Sequence, residues 1–244
     1  MKVLAIIPAR GGSKSIPLKN IQKLDRSPLI EYTIDSAKRS KLVTRIIVST
    51  DDEKISQISK KLGVEVPFIR PKKFARHNST TLSVIQHTIH YLQEVENYTP
   101  NIITILQPTN PFRSRDLIDK SIRLLKNSNA TSVLEVFKIR THPFRAFFPH
   151  NGFLRPVKAD FLKYYQRQKH PLCYYPTGAV YTFWYNTLEK YGNYYGPKIK
   201  PLIYKSDTTN IDIDSLFDLF VAEMKIKFWQ KYQKNFRKLR GFYS

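Results

Sequence analysis

Val3-Leu4-Ala5-Ile6-Ile7-Pro8-Ala9-Arg10-Gly11-Gly12-Ser13-Lys14-Ser15-Ile16-Pro17-Leu18-Lys19-Asn20 is the stretch that decides how the chain is read. Its first six residues are a short apolar run rich in Val and Ile, the pattern of a buried strand. A glycine-containing turn follows at once. Gly11 and Gly12 have no Cβ, so backbone N–H groups there can close on an anion without a side-chain clash. Arg10, Lys14 and Lys19 add three cations within ten residues. Together they read as a cradle for a triphosphate. The loop is not a P-loop, because G-x-x-x-x-G-K-[ST] is absent, and it is not the dinucleotide fingerprint G-x-G-x-x-G. An ordinary basic loop has the same composition, so the rest of the chain has to carry the assignment.

Working outward, strands and helices alternate. Residues 28–40 carry Leu29, Ile30, Ile34 and Ala37 at helical spacing. Residues 45–50 are a second buried strand. Residues 52–62 repeat Ile55, Ile58 and Leu62 on one face, and Gly63 stops that helix. Residues 64–68 read as a third strand, 80–95 as a helix and 102–106 as a fourth strand. A helix over 115–126 and a strand over 131–137 follow, and 178–183 resumes a strand. This rhythm indicates an α/β, Rossmann-like nucleotide-binding fold with a mostly parallel sheet. Ligands in such sheets sit at the carboxyl ends of the strands. The loops after strands one, two and four therefore matter most.

Residues 138–172 break the rhythm with His142-Pro143, Phe147-Phe148-Pro149, Asn151-Gly152 and Tyr164-Tyr165. They read as an insertion, a short hairpin or arm whose aromatics either meet a second subunit or fold back on the parent core. Ser215 and Asp218 have the spacing of a capping box for a last helix. Its apolar face is expected at Leu219, Met224, Phe228, Tyr232 and Phe236. The division is then 1–137 with 173–223 as one domain, 138–172 as an inserted arm, and 224–244 as a basic helical tail.

Composition bounds the function. A chain of 244 residues with 41% apolar and 25% charged residues is globular and can bury a full core. Its folded surface is expected near roughly 11,000 Å². The single cysteine, Cys173, excludes an internal disulfide and any multi-cysteine zinc site. No apolar run approaches the ~20 residues that span a bilayer, and the N-terminus lacks the pattern of a signal peptide, so cytoplasmic is the default expectation. The six histidines show no metal spacing. Lys plus Arg number 41 against 19 acids, a net charge of +22. Such a field draws polyanions or phosphorylated and acidic small molecules.

With these residues in view, the opening loop resembles that of the acylneuraminate cytidylyltransferases, the CMP-sialic acid synthetase family. The resemblance continues in order through Val48-Ser49-Thr50-Asp51-Asp52, Arg70-Pro71 with Ser79-Thr80-Thr81-Leu82, Leu106-Gln107-Pro108-Thr109-Asn110-Pro111-Phe112-Arg113, Gly178-Ala179-Val180-Tyr181 and Ile211-Asp212-Ile213-Asp214. It spans roughly residues 3–223. It implies transfer of a cytidylyl group from CTP to the anomeric hydroxyl of an acidic nine-carbon sugar, with release of pyrophosphate. Arg10, Gly11, Gly12, Ser13, Lys14 and Lys19 would hold the triphosphate, and Arg10 or Lys19 would stabilise the leaving group. Asn20, Arg70 and Thr80 would bind the nucleotide. Gln107, Thr109, Asn110, Arg167 and Tyr181 would face the sugar, with Arg145 reaching in from a partner subunit of a homodimer.

Asp212 and Asp214 stand at i and i+2, which puts both carboxylates on one face of an extended segment. Two hard oxygen ligands beside a triphosphate suit Mg²⁺, which keeps several waters. The departures from the family pattern are His77 where an acid is usual, Asn110 for Ser, Thr177 for Asn, and Tyr175 for a basic residue. They cluster at sugar-facing positions and near the base. They fit the same reaction on sialic, legionaminic or pseudaminic acid, or on another acid sugar such as 3-deoxy-manno-octulosonic acid. A metal-dependent glycosyltransferase and a nucleic-acid-binding protein, the latter prompted by the basic aromatic tail, are the alternatives.

Overall fold

A computed structural model of the chain describes residues 1–13, 15–139, 141–164, 166, 168, 170–204 and 211–240, the last seven by backbone alone. In chain order the strands are β1 (Val3–Pro8), β2 (Lys23–Leu24), β3 (Ser27–Pro28), β4 (Arg45–Ser49), β5 (Ile102–Ile105), β6 (Ser132–Lys138), β7 (Phe147–His150), β8 (Phe153–Pro156), β9 (Tyr174–Trp184) and β10 (Ile199–Ile203). The helices are α1 (Leu29–Lys38), α2 (Glu53–Lys61), α3 (Thr81–Glu96), α4 (Leu117–Lys126), α5 (Tyr185–Tyr191) and α6 (Leu216–Arg240). Six strands form the central sheet in the order β10-β6-β9-β5-β1-β4. β1 runs parallel to β4 and β5, and β6 parallel to β10; β9 runs antiparallel between β5 and β6. The expected α/β fold with a mostly parallel sheet is what forms.

Alternation along β1 explains the layers. Val3, Ala5 and Ile7 face one side, where Ile30 and Ile34 of α1, Ile55 of α2, and Ile118, Ile122 and Leu125 of α4 pack. Leu4 and Ile6 face the other, against Ile85, Ile89 and Leu92 of α3 and Leu188 of α5. Both faces are covered, as a parallel sheet requires. Helix starts follow their capping side chains. Asp52 accepts from the Ile55 N–H at 3.0 Å and Thr80 from the Ser83 N–H at 3.1 Å. Gly63 ends α2 at φ +70, in the left-handed region.

Three expectations change. Residues 64–68 do not form a full strand; single parallel bridges join Ile47 to Glu65 and Thr50 to Ile69. Pro67 inside the segment and Pro71 just beyond it limit what the chain there can donate to a ladder. The short β10, with Pro201 inside it, is an edge strand that the pattern did not announce. In α6 the inward face is Leu219, Ala222 and Ile226, packed on Ile16, Leu24 and Leu29. Spacing of three and four residues, with a small Ala at the closest approach, wins over the larger aromatics. Phe228 and Tyr232 are exposed instead, and the Phe236 side chain lies outside the described residues.

Between β6 and β9 the chain leaves the sheet. Lys138 pairs with Tyr174, and the Ile139 N–H reaches the Cys173 carbonyl at 3.2 Å. Inside this excursion β7 and β8 form a two-stranded hairpin turning at Asn151-Gly152. The total surface is 14,945 Å², well above the expected roughly 11,000 Å². The exposed hairpin and α6 contribute to the excess.

Candidate active site

The loops at the carboxyl ends of β1 and β5 converge with the 70–84 segment and residues 211–214 on a cleft of about 410 Å³, a size that suits a small-molecule site; the loop after β4, expected to matter as much, does not line it. Its lining includes Arg10, Ser13, Lys19, Asn20, Arg70, Gln107, Thr109, Asp212 and Asp214. These nine were all expected from the sequence. The buried Asn20 side chain donates to the Arg10 carbonyl at 2.9 Å and so fixes the loop that carries Arg10. The Arg10 guanidinium donates to the Arg76 carbonyl at 3.2 Å, tying the first loop to the 71–80 segment. Arg70 is buried, 3.5 Å from Asp51. Burial lowers its pKa, Asp51 counteracts, and Arg10 adds repulsion.

The carboxylate wall is built by stitching. The Ile213 N–H donates to the Thr109 carbonyl at 2.9 Å, which joins residues 211–214 to the turn after β5. Lys19 pairs with Asp214 at 2.7 Å, and the Ser15 hydroxyl donates to the Asp214 carbonyl. The expected capping box forms just beyond: Asp218 accepts from the Ser215 N–H at 2.7 Å and Ser215 Oγ from the Asp218 N–H at 3.3 Å. Asp212 opens to solvent on one side, yet the protein around it desolvates the carboxyl and raises its pKa. The Asp214 charge raises it further; Thr109 and Lys19 oppose. Two carboxylates that repel across a cation-rich cleft, with no third carboxylate, His or Cys grouped with them among the described residues, fit a hard divalent ion completed by water and phosphate.

Beneath the cleft lies a bulge. Between β6 and β9 the register jumps from Leu134↔Tyr181 to Val136↔Pro176. The extra residues of β9 carry Thr177 and Gly178 toward the turn after β5. Gly178 sits at φ +83, and a Cβ there would lie 2.7 Å from Asn110 Nδ2 and 2.8 Å from Gln107 Oε1. Gly178→Ala should therefore displace Gln107 and destabilise the fold by about 1–3 kcal/mol. A thermal melt unchanged from the parent would refute this. Arg113, buried in the same floor, donates to the carbonyls of Gln107, Asn110 and Ala179 and to Thr33 Oγ1. Burial brings its pKa down to about 9.

Glu135, at the bulge, accepts from Thr177 Oγ1 at 2.8 Å. Burial raises its pKa above the usual carboxylate range, with Thr177 and Arg113 pulling the other way. A carboxyl raised on folding favours the native state below its unfolded pKa and loses that contribution as pH rises through the folded one. Glu135→Gln removes the ionisation. The melting temperature of the variant relative to the parent should climb between pH 4.5 and pH 8; a constant or falling difference would count against it.

The other expected residues that the structure describes lie off the cleft wall. Gly11 is not on the cleft wall: its N–H donates to Asp51 Oδ1 at 3.0 Å, and a Cβ would meet the Asp52 side chain at 2.7 Å. Gly12 faces open space. Thr80 caps α3 while its neighbours Ser79 and Thr81 line the cleft. Asn110 is buried in the floor. Tyr181 packs against Tyr194 and Tyr195, and burial holds its phenol protonated. Arg145 sits on an exposed turn of the insertion. Lys14 and Arg167 lie outside the described residues. Sequence reasoning passed over Phe74 and Arg76, which line the cleft; His77, noted as a departure from the family pattern, lines it too. Arg76 was detectable as a cation between Arg70-Pro71 and Ser79–Leu82. His87 packs against Phe68 and Phe74.

A nucleotidyltransferase-type α/β fold with this cleft is the class that the geometry defines, and comparison narrows it. A family model described as Cytidylyltransferase matches residues 4–235, and the chain belongs to that family. The CMP-N,N'-diacetyllegionaminic acid synthase of Legionella pneumophila is 30% identical over 225 residues, 91% of this chain and 95% of that protein. The pseudaminic acid cytidylyltransferase of Campylobacter jejuni is 31% identical over 74% of this chain and 78% of its own length. The N-acylneuraminate cytidylyltransferase of Escherichia coli is 28% identical over 91% of this chain and 51% of its own. A solved CMP:2-keto-3-deoxy-manno-octonic acid synthetase complexed with CTP shares the fold at TM-score 0.69 and 14% identity, covering 93% of this chain and 98% of that one. Among the described residues no helix is long and apolar enough to cross a membrane.

Proposed function

We propose that the protein joins CTP to a nonulosonic acid of the sialic, legionaminic or pseudaminic type, giving the CMP-sugar and pyrophosphate. The observation that carries this reading is the cleft itself: Arg10, Lys19, Arg70 and Arg76 line it together with the Asp212/Asp214 pair. In-line attack of the anomeric hydroxyl on the α-phosphate needs alignment and charge neutralisation more than a covalent nucleophile. Arg10, Ser13 and Lys19 bind the triphosphate, with Lys14 adding charge to the same loop, and Lys19 or Arg10 stabilises the departing pyrophosphate. Asn20 holds that loop in place. Arg70 and Arg76 take the nucleotide end. Gln107 and Thr109 orient the sugar, with Asn110 and Tyr181 behind them and Arg167 meeting its carboxylate. Asp212 and Asp214 would hold Mg²⁺, which would supply charge neutralisation and make the attacking hydroxyl easier to deprotonate.

The arm supports a homodimer in which Arg145 approaches the partner's cleft. Phe153 and Leu154 on β8 are 79% and 71% exposed, an apolar surface of the kind subunit interfaces cover. The test is pyrophosphate release with Mg²⁺ and each of four nucleoside triphosphates against a panel of nonulosonic acids and 3-deoxy-manno-octulosonic acid. CTP-selective release that requires one nonulosonic acid is the expected result. Release only with the eight-carbon sugar would move the substrate, and folded protein that binds no CTP would overturn the reading.

A further inference from the structure

α6 packs on the domain by one face. Leu219, Ala222 and Ile226 anchor it to the domain. On the opposite side Phe217, Val221, Met224, Phe228 and Tyr232 recur every three or four residues and form a second apolar stripe. Phe217 is 70% exposed and Phe228 54%; Phe220, beside the stripe, is exposed to the same degree as Phe228. A globular monomer seldom leaves so long a row of rings in water without a use for it.

The charge beside the stripe points to its occupant. From residue 224 to the end there are seven Lys and Arg and no acid. Lys227 and Lys231 fall about 60–100° around the helix from Phe228, so they flank the stripe along one edge. A second copy of this helix laid on the first would bring two such cationic segments together, which like-charge repulsion opposes. Nucleic acid would meet the cations, but Val221 and Met224 offer bases neither a stacking ring nor a hydrogen bond. An anionic lipid surface satisfies both halves of the pattern. Headgroups meet the lysines, and the boundary with the acyl chains takes the rings. We propose that the outward face of α6 docks the protein on anionic membrane, with the helix lying in the plane of the interface. α6 begins two residues after Asp214, so docking would hold the cleft close to that surface.

The test is cosedimentation of the full chain with vesicles of phosphatidylcholine alone and of phosphatidylcholine mixed equally with phosphatidylglycerol. Binding is expected only to the anionic vesicles and should weaken with salt. Lys227→Gln with Lys231→Gln should weaken it roughly tenfold or more, since each cation near such a surface contributes about fivefold. Phe217→Ser with Phe228→Ser should weaken it about tenfold or more even at low salt, while circular dichroism and pyrophosphate release stay unchanged. The second variant separates insertion of the rings from simple charge attraction. Absence of vesicle binding would overturn the proposal. So would a salt-dependent complex with single-stranded RNA or DNA but not with vesicles, or a parent dimer that the Phe variant converts to monomer.

Discussion

Asp212→Asn should lower kcat by on the order of 10²–10³-fold, the scale seen when one preorganised group that stabilises transition-state charge is lost. The side chain keeps its size and its reach to Thr109, so the fold has no reason to change. Burial already disfavours the charged carboxyl at this position, and Asp214 adds repulsion. The substitution removes both costs, so the melting temperature should hold or rise. Loss of turnover in a protein that melts like the parent, with CTP affinity in the absence of metal unaltered, would place the defect in the chemistry. A kcat within about threefold of the parent would sink the metal reading. Asp214→Asn tests the same wall differently, because it also frees Lys19 from its 2.7 Å ion pair. Its effect should include a change in KM for CTP.

Arg113→Leu should be strongly destabilising, by about 3 kcal/mol or more, because it removes the partner of several buried acceptors. The guanidinium satisfies three carbonyls and a hydroxyl in a buried floor, and among the described residues it forms no salt bridge. Leucine would leave the Asn110 and Ala179 carbonyls without that donor and the Gln107 carbonyl with the Asn110 N–H at 3.2 Å, and each buried group left unsatisfied carries a desolvation penalty of ~1–3 kcal/mol. For a chain of this size the expected fall in Tm is about 10 °C. Arg113→Lys should recover only part of it, since an ammonium cannot spread its donors over the same fan of acceptors. Where the variant still folds, KM for the sugar should rise more than KM for CTP, because Gln107 belongs to the turn that Arg113 holds. A Leu variant melting within about 2 °C of the parent would show that the floor does not depend on this side chain.

Much of the framework was legible because local signals and global fold agree. Val3–Pro8 alternates Val, Ala and Ile with Leu and Ile, so both faces of the strand are apolar, and the sheet is covered on both faces. Asp52 and Ser215 stand where helix caps belong and act as caps. Nine of the cleft residues lie in four short motifs that converge only where the carboxyl ends of β1 and β5 meet the 70–84 segment and residues 211–214. What was illegible is long-range. Nothing local in Thr177-Gly178 says that five residues of β9 will span two of β6, and the purpose of Gly178 emerges only when Asn110 and Gln107 lie against it. Gly11 misled for a related reason. It reads as a phosphate-facing glycine, yet its missing Cβ makes room for Asp52. α6 carries apolar residues on two sides, and one-dimensional periodicity cannot choose between stripes until Leu24 and Leu29 are in place.

The neck between β6 and β9 has a bearing on how such a chain diversifies. To the sheet, everything between Lys138 and Tyr174 is a single hairpin loop, closed by their pairing and by the bond from Ile139 to the Cys173 carbonyl. Closure entropy grows only with the logarithm of loop length, about 0.6 kcal/mol for each doubling. A graft at this neck can lengthen, shorten or be exchanged while the registers of β6 and β9 stay as they are. Because β6 ends and β9 begins at the cleft end of the sheet, any such graft emerges beside the site. Evolution can therefore rewrite what stands beside the cleft without touching the scaffold that holds it.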